Sequence, residues 1–176
     1  MPDMLVKLYT LPVLGPALAE QVQHGIEIRR PNPTEVKFLS NWVRAGFEED
    51  WALGCEFALR SWPPTCFIAV KKVNPAAQGY QMSPETLMGF ACYDVSARGM
   101  FGPLGVAPDC QGQGIGKALL LACLHAMANE GYAYAVIGWA GPLEFYARTV
   151  AATVIQGSEP GIYRGPLVDS GWTAAS

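Results

Sequence analysis

Gln111 precedes three glycines, at 112, 114 and 116, and Lys117 follows them. The group falls where an apolar run over 100–106 gives way to Leu119, Leu120, Cys123 and Met127 at helical spacing. Glycine in a helix interior costs ~1 kcal/mol relative to alanine, so glycines at a helix start need a reason. A helix N-terminus presents unpaired N–H groups and a partial positive charge. Bare backbone there suits an anion, phosphate above all. A tight strand-to-helix turn with no ligand would also use glycines. Two familiar phosphate loops do not fit. G-x-x-x-x-G-K-[ST] needs Gly at 111 and Ser or Thr at 118, where Gln and Ala stand. G-x-G-x-x-G from Gly112 needs Gly at 117, which is Lys.

A third pattern fits. Gln111-x-x-Gly114-x-Gly116, led by Val106-x-Pro108, resembles the acyl-CoA motif of the GCN5-related N-acetyltransferase (GNAT) family. The resemblance covers about residues 26–165 in element order and is specific over 104–120 and at Phe145-Tyr146. It implies acetyl-CoA as co-substrate. Backbone groups of Leu104 and Val106 would pair with the pantetheine arm, with Gly105 letting the strand bulge and open a slot. Backbone N–H groups of Gln111, Gly112, Gln113, Gly114, Ile115 and Gly116 would hold the pyrophosphate. Lys117 would either add charge near a phosphate or stand in solvent as a first-turn lysine.

Acetyl transfer to an amine raises two proton problems. With a pKa near ~10.4, only about one amine in ~10³ is free base at neutral pH, a handicap of ~4 kcal/mol. The leaving thiolate is also better expelled when protonated. Gly141-Pro-Leu-Glu-Phe-Tyr-Ala-Arg148 resembles the family's A-x-x-F-Y-x-K segment, with Pro142 and Arg148 in the Ala and Lys places. Tyr146 then matches the tyrosine that faces the CoA sulfur, a candidate general acid; an ordinary core tyrosine is the other reading. For a base, Glu48, Glu49, Asp50 and Asp94 are candidates, because no Asp or Glu stands between Asp94 and Asp109. Trp139 departs from the family's CoA-contacting Asn, and Ala151-Ala152 from its Gly-Phe.

The elements that must position these groups are readable in outline. A short strand near 5–9 and a helical turn after Pro16 belong to a leading extension, 1–25, expected to pack on the domain. A strand follows at 26–29, a helix over 35–45 capped by Thr34, and a second over about 48–60. Strands are expected at 66–70, 87–95, 100–106 and 132–139, with a loop over 73–84. Helices are expected at about 114–130, ended by Gly131, and from Pro142 to about Arg148. A last strand pair is placed in 151–156 and 161–166. The order predicts an α/β (α+β) fold with a mixed, mostly antiparallel sheet; the resemblance adds a splayed strand pair. The transferase domain is expected over 26–166, with a tail at 167–176.

Composition narrows the function. The 176 residues are 51% hydrophobic and 15% charged, enough for one core, with a net charge of −3. No basic stripe suggests nucleic acid, and no run approaches the ~20 apolar residues of a membrane span. LYTLPVLGPALA after Lys7 is faintly leader-like, but Asp3 and two prolines interrupt the pattern. Five cysteines without C-x-x-C spacing read as free thiols of a cytoplasmic protein, with no metal site. Aromatic residues Trp42, Phe47, Trp51 and Trp62 would be core or the wall of an acceptor pocket. The expectation is direct transfer from acetyl-CoA to a small-molecule or peptide amine in a ternary complex, with no acyl-enzyme. The acidic balance favours cationic acceptors. A second copy of the chain, as a homodimer, is a further candidate partner. The rival is a non-catalytic acyl-CoA sensor that keeps the loop and lacks the base.

Overall fold

The computed structural model describes residues 1–73 and 85–162. Among these residues seven strands form one sheet: β1 (Met4–Lys7), β2 (Ile26–Arg29), β3 (Cys66–Lys72), β4 (Glu85–Tyr93), β5 (Met100–Val106), β6 (Tyr134–Ile137) and β7 (Thr153–Val154). Their spatial order is β2-β3-β4-β5-β6-β1-β7. All neighbours are antiparallel except β5 and β6. The α/β fold with a mixed, mostly antiparallel sheet is thus the one the sequence predicts.

Among the described residues five α-helices cover the sheet: α1 (Leu14–Gln23), α2 (Val36–Gly46), α3 (Glu49–Ala58), α4 (Ile115–Asn129) and α5 (Leu143–Val150). Alternation on β3 assigns the faces. Cys66, Ile68 and Val70 meet α2 and α3 through Leu39, Val43, Ala52 and Cys55. Phe67 and Ala69 meet the opposite core, built around α4. A strand covered on both faces reads as an unbroken apolar run, and CFIAV is one. Helix α4 is apolar nearly all round, with Leu119, Leu120, Leu121, Cys123 and Leu124 fully enclosed, so it lies between α1 and the sheet.

Several local readings are corrected. The helix start at 35 is organised by Asn32, not Thr34: its N–H donates to Glu35 Oε2 at 2.6 Å, and Pro33 opens a 3-10 turn that leads into α2. Residues 4–23 supply β1 and α1, and β1 lies within the sheet, between β6 and β7. Strand β7 spans two residues; the 74–84 part of the expected loop, residues 163–166 of the last strand and the 167–176 tail lie outside the described residues. All five cysteines are free thiols. Cys55 and Cys92 meet in the α2–α3 core with sulfurs 3.7 Å apart, and burial pushes the Cys92 thiol up. Among the described residues no His/Cys/Asp/Glu group could hold a metal ion, and no helix is long and apolar enough to cross a membrane.

Candidate active site

The glycine loop joins β5 to α4. Gly112 and Gly114 have φ of +77° and +78°, the left-handed region that glycine enters without strain. Gly114 is the residue before the first helical turn. The first N–H with an intrahelical partner there is that of Ala118, bonded to Gly114 O at 3.0 Å. The N–H groups of Ile115, Gly116 and Lys117 therefore point out of the helix start unpaired by it. Gly116 serves space instead: its φ is not positive, and an added Cβ would lie 3.7 Å from Val106 and 3.8 Å from Phe145.

Those side chains are walls of one cavity of about 440 Å³. Of the expected site residues, Leu104, Val106, Gln111, Gly112, Gly114, Ile115, Gly116, Lys117 and Tyr146 line it together. Gln113 is not on the lining. Its carbonyl turns inward and accepts a hydrogen bond from Gln21 Nε2 at 3.0 Å. Gln21, on α1 and 1% exposed, thus braces the loop from the segment that precedes the motif-bearing region. Nothing in the local sequence marks it for that role.

The floor of the cavity is a gap between strands. β5 pairs with β6 only at Met100 and Phe101, so beyond Phe101 the two diverge and the edge of β5 facing β6 has no strand partner. This is the splayed pair the resemblance implies. The bulge that accompanies it lies elsewhere than expected. Gly102 and Pro103 together oppose Cys92 on β4, while Gly105 pairs regularly with Phe90. Gly105 is there for packing: an added Cβ would come within 2.6 Å of Phe90 and 2.8 Å of Phe47.

Tyr146 is carried by the first turns of α5. It is 7% exposed, and its ring packs edge-on against Phe145 and Phe101. Its hydroxyl has no hydrogen-bond partner among the described residues, and burial pushes its pKa up to about 12. A phenol at the end of a strand gap, with no internal acceptor, can donate to whatever enters the cavity.

A second cavity, about 340 Å³, lies on the α3 side of the same strands, against Gly102 and Pro103 of β5 and Gly138 and Trp139 beyond β6. The candidate carboxylates separate here. Glu48 and Asp50 line this cavity beside Trp51. Glu49 instead pairs with Arg44 at 2.7 Å. Asp94 is held by the β4–β5 turn, where it accepts Gly99 N–H and Tyr132 O–H, each at 2.7 Å. The aromatic residues separate too. Trp42, Phe47 and Trp51 cluster on Phe90, Trp51 also reaching the cavity, while Trp62 is 84% exposed.

The model of the family described as Acetyltransferase (GNAT) matches residues 36–148. No curated protein matches the chain. Among solved structures, one similar fold is described as a GCN5-related glucosamine N-acetyltransferase region of a fungal multi-domain GH3 β-N-acetylglucosaminidase: TM-score 0.66, 15% identity, covering 88% of this chain and 19% of that one. A GCN5-related N-acetyltransferase from Sphaerobacter thermophilus gives TM-score 0.62 at 18% identity, covering 88% of this chain and 48% of that one. A GNAT acetyltransferase from Brucella melitensis, solved with acetyl-CoA, gives 0.51 at 19%, covering 75% and 88%. The chain thus spans less than half of the first two.

Proposed function

The chain belongs to the GNAT family of acetyltransferases, and on that premise we propose that it transfers acetyl from acetyl-CoA to a primary amine by direct attack in a ternary complex. One observation carries the reading: the glycine-lined helix start and the opened β5–β6 gap border a single cavity that ends at Tyr146. Unpaired N–H groups at the start of α4 suit the pyrophosphate. The free edge of β5 at Leu104 and Val106 suits the amides of the pantetheine arm. The arm would then direct the thioester into the strand gap, towards the second cavity, from which the amine arrives.

In the transfer, the neutral amine attacks the thioester carbonyl, a C–N bond forms and the C–S bond breaks. The departing thiolate takes the Tyr146 proton, the proton lost from nitrogen passes to water, and the phenol recovers its proton from solvent. Positioning both reactants converts an encounter into a unimolecular step. A second reading, an acyl-CoA sensor, is favoured by one feature: among the described residues no carboxylate lines the cavity at the glycine loop.

Two measurements test the proposal. Calorimetry with CoA should show binding that Gly116→Leu weakens about ten-fold or more, with little change in melting temperature, because Gly116 has an ordinary φ and an added Cβ would make only ordinary van der Waals contacts. Gly114→Ala is the poorer probe, since its φ of +78° and the approach of Gln21 to 3.0 Å strain the fold itself. Unchanged CoA affinity in Gly116→Leu would remove the site. Steady-state release of CoA thiol in the presence of amines then separates enzyme from sensor.

A further inference from the structure

From the second cavity we infer the acceptor class: a small primary amine, cationic in solution, whose ammonium is borne on an aromatic or bulky apolar body. This rests on the acetyltransferase reading above and deepens it. The cavity is at the small end of the ~300–1,000 Å³ range of ligand sites, at about 340 Å³. Its lining is largely apolar: Trp51 and Trp139 with Met1, Val95 and Pro103. A hexosamine would require donors and acceptors for every ring hydroxyl, since unpaired buried polar groups cost ~1–3 kcal/mol each. Among the described residues the polar side chains of the walls are Ser96 and two carboxylates, joined by the Met1 terminus.

Those carboxylates supply the charge selection. Neither Glu48 nor Asp50 has an ion-pair partner within 4.0 Å among the described residues, whereas their neighbour Glu49 is committed to Arg44. The Met1 ammonium also lines the cavity but is committed to Glu159 at 2.6 Å, so two carboxylates without an ion-pair partner stand beside tryptophans and suit an ammonium on an apolar stem.

The indole of Trp139 is held in place by a second, independent device. Its backbone has φ +45°, unusual for a bulky residue. Asp3, 7% exposed, accepts its N–H at 2.9 Å, and Trp139 Nε1 donates to Pro160 O at 2.9 Å. Left-handed backbone at a non-glycine residue is costly and persists where the surroundings over-determine it, commonly at functional sites. Here the residue before β1 and the segment after β7 fix one face of the acceptor cavity.

The test uses 2-phenylethylamine, glucosamine and Nα-acetyl-lysine amide as acceptors of the full chain with saturating acetyl-CoA. The expected result is a kcat/KM for 2-phenylethylamine at least ten-fold above the other two. The double variant E48Q/D50N should lower it about ten-fold through KM, with acetyl-CoA affinity unchanged. Both side chains are exposed, so the variant should fold like the parent, checked by its melting curve. Preference for glucosamine or the lysine amide, or an unaltered KM in the double variant, overturns the acceptor class and leaves the acetyltransferase reading standing. If no amine turns over, calorimetry of 2-phenylethylamine on the CoA-loaded protein decides. Binding that E48Q/D50N abolishes upholds the acceptor class while the catalytic reading falls; no binding to the parent overturns the class as well.

Discussion

The chemistry proposed for this site turns on one phenol. Burial pushes the Tyr146 pKa up to about 12, so it keeps its proton across the whole range in which an amine with a pKa near ~10.4 becomes free base. It is a weaker acid than a solvated tyrosine but is present as a donor at every working pH. The rate should therefore climb with pH as the acceptor loses its proton, then level off. No falling limb below about pH 12 should belong to Tyr146. A bell centred near neutrality would give the acid's role to another group. Tyr146→Phe removes the donor and leaves the ring against Phe101 and Phe145. General acid catalysis supplies ~10²–10⁴-fold, so kcat should fall within about that range while acetyl-CoA affinity moves less than about three-fold. A near-parent kcat, with chemistry rate-limiting, would leave solvent as the proton source.

Among the elements, those set by local spacing were legible and those set by distant contact were not. The alternation of Ile26–Arg29 and the helical spacing of α4 are properties of neighbouring residues, and both elements stand where the sequence puts them. Gly105 shows the limit. A glycine tells that a side chain is excluded but not what excludes it; here Phe47 and Phe90, far away in sequence, are the cause, and the bulge falls at Gly102-Pro103. The sequence places a helical turn after Pro16 but not its role, since the contact of α1 with the glycine loop runs through one buried glutamine. Gln21 Nε2 holds Gln113 O, while Gln21 Oε1 is buried without a partner among the described residues. Gln21→Met keeps the length and removes both groups. The unpaired oxygen costs ~1–3 kcal/mol, so its loss should offset the loss of the brace and hold the melting temperature within a few degrees. The loop loses its anchor, and the Kd for CoA should rise several-fold by calorimetry. An unchanged Kd would show that the glycine backbone holds its own shape.

For the whole molecule, the consequential feature is that β1, from the first residues described, completes the sheet between β6 and β7. A four-residue strand has too few alternating positions to announce its partners, which lie across the chain at 134–137 and 153–154. Its inward residues Met4 and Val6 are 2% and 0% exposed and sit in the same core as α4 and Tyr146. The Asp3 clasp on Trp139 continues from the same strand. If β1 is an integral strand, truncating it must weaken the fold as a unit. Met4→Ala should cost ~2–5 kcal/mol as a large-to-small core substitution, a fall of roughly 5–15 °C in melting temperature for a chain of this size. Hydrogen exchange gives the sharper view, because cooperative units open together. Peptides covering β1 and β6 should be protected to a similar degree in the parent and lose protection together in Met4→Ala. A detachable segment behaves otherwise: β1 amides would exchange fast in the parent already, and the substitution would leave β6 and the main melting transition where they were.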